Sequence, residues 1–383
     1  MSLTTWSFPT RIVFGIGAAD EIGKHAASLG AGGGGEKAVA LIVTDPGVIK
    51  AGVVDVVRAS LDAAKVEHHT FDGVHGNPLE KDVHDGVAAY RKAKATIVIA
   101  VGGGSPLDVG KLIRLLITHE PPLSQYDDAI GGDAKIVRAV PPMIAVPTTA
   151  GTGSEVGRSG VVTVEATHRK TVIFSPKLMA EVAILDPKLT TGMPARTTAA
   201  TGFDALTHCM EAYLSLGDHP MADAIALLGT ELCVKHLARA VSHPNDLEAR
   251  GAMMKAAAMG AVAFQKGLGA CHSLAHPLSS EKGLHHGLAN ALCLPAVIAW
   301  NAEKVPERIA RLAQIFGVDP KKLPDAVRAL RKELGLPEGL AAEGVTEGDL
   351  DKLADLAVED ACHRCNPRPC TRDDLRALYK QSM

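Results

Sequence analysis

Aromatic residues make up only 3% of this 383-residue chain, which leaves no obvious recognition surface for a noncatalytic assembly protein. Neither sign of charge dominates: 40 Lys and Arg stand against 43 Asp and Glu, for a formal net charge of −3, so nucleic acid and other polyanions are not expected partners. No apolar run is long enough to cross a bilayer. The first fifteen residues, Met1 to Gly15, also lack the basic, apolar and small-residue sections of a signal peptide, so a cytoplasmic location is expected by default. Cysteine is absent before Cys209, and the seven from there onward are irregularly spaced and odd in number, which argues against a secreted disulfide framework and for reduced thiols. Cys362, Cys365 and Cys370 with His363 would suit a zinc knuckle, but flanking prolines and the missing second pair favour a C-terminal loop.

What is present is the composition of a soluble globular enzyme, 46% hydrophobic and 22% charged, on a chain long enough for two domains. From about residue 37 to 190 the pattern alternates: an apolar run at Ala38 to Val43, an amphipathic stretch to Ala64, a short strand near Val66 to Phe71, a helical Glu80 to Lys94, then Thr96 to Val101. That is the rhythm of βαβ units and a parallel sheet, with ligands expected at the carboxyl ends of the strands. Further β-like runs stand at Met143 to Val146, Val161 to Val164 and Val182 to Leu185. After Met193-Pro194 the texture turns to Ala/Leu-rich helical spacing, as in Thr198 to Leu214, Pro220 to Ala240 and Leu247 to Phe264. An α/β domain over 1–193 and an all-helical domain over 194–383 are expected. The Gly32 to Gly35 run has no helix after it and is expected to be a flexible surface turn.

Two loops suggest a phosphate cradle. Gly102-Gly103-Gly104-Ser105 follows one strand and precedes a helical Pro106 to Leu116, so backbone N–H groups and a helix dipole can meet a pyrophosphate. Pro147-Thr148-Thr149-Ala150-Gly151-Thr152-Gly153-Ser154-Glu155 offers hydroxyls and small residues directly after another strand. Asp45 ends the Val39 to Thr44 strand, where a carboxylate can bind adenosine ribose hydroxyls and repel a 2′-phosphate. In the usual dinucleotide fingerprint the glycines come before the acid; here the acid comes first.

The second half gathers metal-type donors. Asp204 and His208 are one helical turn apart, His272 and His276 repeat that spacing, and His285 and His286 follow closely. A lone histidine is an ordinary core residue, but five with one aspartate in an alanine-rich setting point to a divalent ion. Spacing leaves open which histidines bind, and mixed N and O donors suit Fe²⁺, Zn²⁺, Mn²⁺ or Co²⁺.

These residues resemble the iron-dependent (group III) alcohol dehydrogenases along the full length of the chain. The resemblance implies a Rossmann-like α/β dinucleotide-binding domain followed by an all-α metal-binding domain, and metal-assisted hydride transfer between a short alcohol and NAD. It implies Asp204, His208, His272 and His286 as ligands of Fe²⁺ or another divalent ion, with His276 a catalytic non-ligand. It also implies Asp45 on the ribose, Gly103, Gly104 and Ser105 at the diphosphate, and Thr148, Thr149, Thr152, Val161 and Lys170 along the rest of the cofactor, with Gly102 and Asp108 among the cofactor-binding residues. Two departures are Asn77-Pro78-Leu79, where the family has Asn-Pro-Thr, and His285, where proline or threonine is common.

Within the family, Ala263 to Gly269, Gly283 to Gly287 and the segments from Cys362 to Met383 look most like 4-hydroxybutyrate dehydrogenases. Arg158 matches that subgroup, and an arginine there can hold a substrate carboxylate bidentately; a surface or cofactor-edge role is the plain alternative. A small alcohol or aldehyde and further copies of the chain in a homodimer or larger homo-oligomer are the expected partners. Rival readings are a glycerol dehydrogenase-like polyol oxidoreductase, a dehydroquinate synthase-like metal lyase and a noncatalytic oligomer.

Overall fold

A computed structural model describes residues 8–31, 37–165 and 169–383, the Arg169 side chain excepted. The Gly32 to Gly35 run lies outside the described residues. The chain divides into two units, one made of residues 8–149 and 154–192, the other of 150–153 and 193–383.

The first unit is built on strands β1 (Arg11–Phe14), β2 (Val39–Val43), β3 (Glu67–Phe71), β4 (Ile97–Gly102), β5 (Met143–Pro147) and β8 (Val182–Leu185), all parallel in the order β1-β8-β5-β4-β2-β3. The central strands β4, β5 and β8 are buried at every position, because both faces of the sheet are covered. Alternate residues feed two cores. Ala40, Ile42, Ile97, Ile99 and Val101 join Ile22 of helix α1 (Ile22–Gly30) and Val54, Val57 and Leu61 of α3 (Val53–Ala63), which follows the short α2 (Pro46–Lys50). Leu41, Val43, Val98 and Ala100 pack instead with Val83 and Val87 of α4 (Glu80–Ala93) and Leu107, Leu112 and Ile113 of α5 (Gly104–Thr118).

The Val161 to Val164 run belongs elsewhere: β6 (Ser159–Val164) and β7 (Arg169–Phe174) form a separate antiparallel pair. Sequence reading missed β7, and it missed the edge strand β1, which is largely exposed and whose apolar run, Ile12 to Phe14, is only three residues long.

The strand order doubles back between β2 and β4. In an open parallel sheet that switch point opens a crevice at the carboxyl ends of the strands. Val43 pairs with Ala100, so Asp45 and Gly102 stand level on neighbouring strands. Gly102 pairs in turn with Pro147, and the Thr148 N–H donates to the Gly102 carbonyl at 2.9 Å. The acid, the glycine loop and the start of the second loop, Pro147 and Thr148, therefore gather at the carboxyl ends of neighbouring strands in this unit.

The second unit is helical: α6 (Ala195–Leu214), α7 (Pro220–Ser242), α8 (Leu247–Ala263), α9 (Ala270–Lys282), α10 (His286–Asn301), α11 (Pro306–Phe316), α12 (Leu323–Glu333), α13 (Leu350–Glu359) and α14 (Arg372–Gln381). From Thr198 to its end α6 is buried on every side, as expected of a central helix of small and apolar residues. Residues 150–153 pack on α6 and α8: a Cβ at Gly151 would meet Thr201 of α6, and one at Gly153, whose φ is +61°, would lie 2.3 Å from the Ala261 Cβ of α8. Among the described residues no helix is long and apolar enough to cross a membrane.

Candidate functional site

Helix α6 places Asp204 and His208 on one face, α9 contributes His272, and His286 opens α10. One donor atom from each of these four lies within 4.8 Å of the others. The Asp204 Oδ1 is 3.8 Å from His208 Nε2, 4.0 Å from His272 Nε2 and 3.6 Å from His286 Nε2. A tetrahedral ion with bonds of about 2.0–2.2 Å separates its ligand atoms by roughly 3.3–3.6 Å, so a small contraction closes this cage on a divalent cation. Burial brings His208 down to about 4 and holds His286 well below its ordinary value. Burial pushes the Asp204 carboxyl up, but its three imidazole neighbours and an amide outweigh that and bring it to about 2. Near neutral pH the cage therefore contains an ionised carboxylate and, at His208 and His286, imidazoles with free lone pairs, donors of the kind a divalent ion takes.

Close helix contacts make the cage possible. A Cβ on Gly260 would sit 2.8 Å from the His208 Cβ, and one on Gly287 would lie 2.1 Å from the Ala200 carbonyl oxygen and 3.0 Å from the Asp204 Cβ. A backbone carbonyl cannot swing aside as a side chain can. Gly287→Ala is therefore expected to push the first turn of α10 off α6 at about 1–3 kcal/mol. That corresponds to a fall of roughly 2–12 °C in Tm for a unit of this size. Bound metal, measured by atomic emission, should fall with it; unchanged metal content would mean that the helices need not be this close.

Two supporting residues escaped sequence reading. Glu211, buried and two turns beyond Asp204 on α6, accepts from His272 Nδ1 at 2.6 Å and from the backbone N–H groups of Cys271 (2.7 Å) and His272 (3.2 Å). It fixes the ring so that Nε2 faces the cage, the carboxylate–imidazole arrangement that orients metal ligands. Although burial opposes it, that contact raises the His272 pKa above its ordinary value. Asn290, one turn after His286, donates from Nδ2 to Asp204 Oδ1 at 2.9 Å. The only sequence signal for either was its helical spacing from a ligand candidate.

His276 stands apart from the four. Its ring stacks on His286, with centroids 5.2 Å apart and planes at 13°, and its Nδ1 meets Asp360 Oδ2 at 2.7 Å. The Cys362–Cys365 segment is a short helical turn, and the nearest metal-type grouping there is Cys362 with Asp360 and His276 rather than with Cys365 and Cys370. His285 is exposed.

In the α/β unit, Gly102 has φ +151° and α5 begins at Gly104 with no side chain capping its N-terminus, so its first N–H groups are available to an anion. A Cβ on Gly103 would be 3.3 Å from Thr149 Cγ2, which brings the two loops into contact. Ser105 Oγ donates to the Gly76 carbonyl at 2.7 Å and ties the Asn77-Pro78-Leu79 loop to the cradle. Asp108 is a strut of this unit: Oδ1 accepts from Ser154 Oγ at 2.5 Å and Oδ2 from the Val161 N–H at 3.1 Å, with the buried Lys111 ammonium 3.6 Å away. Asp45 caps α2, its Oδ1 accepting from the Val48 N–H at 3.0 Å. Thr148 is buried, Lys170 is exposed opposite Thr163, and Arg158 lies over the Phe174 ring at 5.4 Å. Thr152 falls within the 150–153 segment of the helical unit.

Two family models match the chain, an iron-containing alcohol dehydrogenase model over residues 9–187 and its C-terminal counterpart over 198–383. The chain is 43% identical to the 4-hydroxybutyrate dehydrogenase of Cupriavidus necator over 353 residues, covering 90% of this chain and 92% of that one. Among solved structures, a 1,3-propanediol oxidoreductase superposes with a TM-score of 0.93 at 36% identity, with all of both chains covered. A sulfoacetaldehyde reductase from Bifidobacterium kashiwanohense, solved in complex with NAD⁺, gives a TM-score of 0.89 at 30% identity over 100% of this chain and 99% of that one.

Proposed function

Since the chain belongs to the iron-containing alcohol dehydrogenase family and is a metal-dependent alcohol oxidoreductase, we propose that it interconverts a short ω-hydroxy acid and its aldehyde, using NAD(H) and Fe²⁺. The observation that carries this reading is the cage of one carboxylate and three imidazoles, two of them held neutral by burial. Zn²⁺ or another divalent ion suits the same donors. A bound divalent ion polarises the oxygen of an alcohol or aldehyde and eases loss of the hydroxyl proton.

Asp204, His208, His272 and His286 hold the ion, and Glu211 and Asn290 hold two of those side chains in place. The first turn of α5, with Gly102 to Ser105, binds the diphosphate, and Thr148, Thr149, Thr152, Val161 and Lys170 line the rest of the cofactor. The side chain of Asp45 orients the adenosine ribose. His276 takes the hydroxyl proton during oxidation and returns it during reduction.

Arg158 receives the far carboxylate of the substrate, which the likeness to a 4-hydroxybutyrate dehydrogenase supports. The test is a panel of short diols, ω-hydroxy acids and their aldehydes, followed by nicotinamide absorbance after reconstitution with Fe²⁺ or Zn²⁺. We expect 4-hydroxybutyrate among the best substrates. Arg158→Ala should raise KM about 10-fold or more for the hydroxy acids, the loss of one charge-assisted pair, and leave the diols little changed. An equal rise for both classes would return Arg158 to a structural role beside Phe174.

A further inference from the structure

We propose that Asp360 is a positioning residue that fixes the tautomer and the ring orientation of His276, so that its Nε2 is the atom that exchanges the substrate proton. Asp360 directly follows α13, 84 residues from His276 in sequence. Its Oδ1 accepts from Ser273 Oγ at 2.7 Å and from the Cys362 N–H at 2.8 Å. The Ser273 hydroxyl oxygen in turn accepts from the His363 N–H at 2.8 Å, so the carboxylate is anchored from both α9 and the C-terminal segment. With Oδ1 committed, Oδ2 faces His276 Nδ1 at 2.7 Å. Burial pushes the Asp360 carboxyl up, but the His276, Ser273 and Cys362 contacts outweigh that and keep it well below the usual carboxylate range.

An ionised carboxylate only accepts, so Nδ1 carries the proton and Nε2 keeps a lone pair. Rotation of the ring is limited on its faces by His286, stacked at 5.2 Å, and by His272, edge-on at 6.0 Å. In oxidation the alcohol O–H bond breaks and its proton goes to Nε2; a bound NAD⁺ would supply the acceptor for the C–H electron pair, taken as hydride. The resulting imidazolium is stabilised by Asp360, and reduction runs each transfer backwards. The division of labour is that of a buried carboxylate holding a catalytic histidine in its working tautomer. It rests on the assignment of His276 as proton acceptor made above.

The alternative role for Asp360 is to tie down the C-terminal loop, and a double-mutant cycle on the metal-loaded enzyme separates the two. Asp360→Ala should lower kcat about 10- to 100-fold with metal content and the KM for NADH unchanged. It should cost nothing further in a His276→Ala background. Asp360→Asn keeps the shape and the loop contacts but offers an amide N–H to Nδ1, so it should be slow too. His363→Ala removes a contact of the C-terminal loop itself, His363 Nε2 with the Val358 carbonyl at 3.0 Å, and none of those made by the Asp360 side chain, so it should change kcat less than about threefold. Multiplicative losses in the double variant, or a His363→Ala variant as slow as Asp360→Ala, would overturn the inference. A slow His276→Ala beside an Asp360→Asn of normal rate overturns the role of Asp360 alone. A His276→Ala of normal rate overturns the proton-acceptor reading and the inference with it.

Discussion

His272→Ala is expected to empty the metal site and to stop turnover together, whereas His276→Ala should keep the ion and slow the reaction. His272 is buried with its Nε2 turned into the cage and its Nδ1 clamped by Glu211, so the alanine variant removes one of four donors and leaves the Glu211 carboxylate without its imidazole. Three donors in a pre-formed site bind much more weakly, and loss of the ion forfeits several kcal/mol of charge stabilisation. At 1.36 kcal/mol per factor of ten, roughly 4 kcal/mol is about a 10³-fold fall in kcat/KM. His276 instead has its Nδ1 on Asp360 and a side chain 40% exposed, and its removal should cost about 10²-fold, as for a lost acid–base group, with metal content intact. Atomic emission on the purified variants, alongside kcat, decides the matter. Loss of the ion from His276→Ala would show that the wrong histidines have been chosen.

The same pair shows what could be read from the sequence and what could not. Asp204 and His208 declare themselves by a four-residue spacing on one helix, because helical geometry turns sequence separation directly into proximity. His276 has that same spacing from His272, so local periodicity could not tell the ligand from its neighbour. The choice depends on Glu211, 61 residues from His272, and on Asp360, 84 residues from His276, and such pairings exist only once the helices have packed. The fold was legible for a related reason. Buried strands such as Ile97–Gly102 are continuous apolar runs flanked by glycine, whereas the largely exposed Arg11–Phe14 strand offers only the three apolar residues Ile12 to Phe14. The β6–β7 pair was half seen because Arg169-Lys170-Thr171 breaks the apolar pattern of β7. Asp108, which the resemblance counts among the cofactor residues, also accepts from Ser154 Oγ and the Val161 N–H, partners 46 and 53 residues away that no local pattern announces.

Asp45→Gly is expected to shift cofactor choice toward NADPH. Asp45 stands level with Gly102 across the β2–β4 switch point, where an adenosine ribose lies in sheets of this kind. Its Oδ1 accepts from the Val48 N–H as the cap of α2, which leaves Oδ2 for the ribose hydroxyls. Glycine is the informative replacement, because at a helix N-cap it costs only a few tenths of a kcal/mol, far less than alanine. The extended backbone of Asp45, φ −121° and ψ 162°, asks nothing unusual of it. Loss of a charge-assisted ribose contact of about 1.5–3 kcal/mol should raise the KM for NADH roughly 10- to 100-fold. The same change removes like-charge repulsion against a 2′-phosphate, so the NADPH:NADH ratio of kcat/KM should rise by about 10²-fold. The measurement is that ratio, taken with Tm as a control on the cap. A fall in both cofactors by the same factor, with Tm lowered, would make Asp45 a structural cap and nothing more. An unchanged ratio at unchanged Tm would remove the ribose assignment.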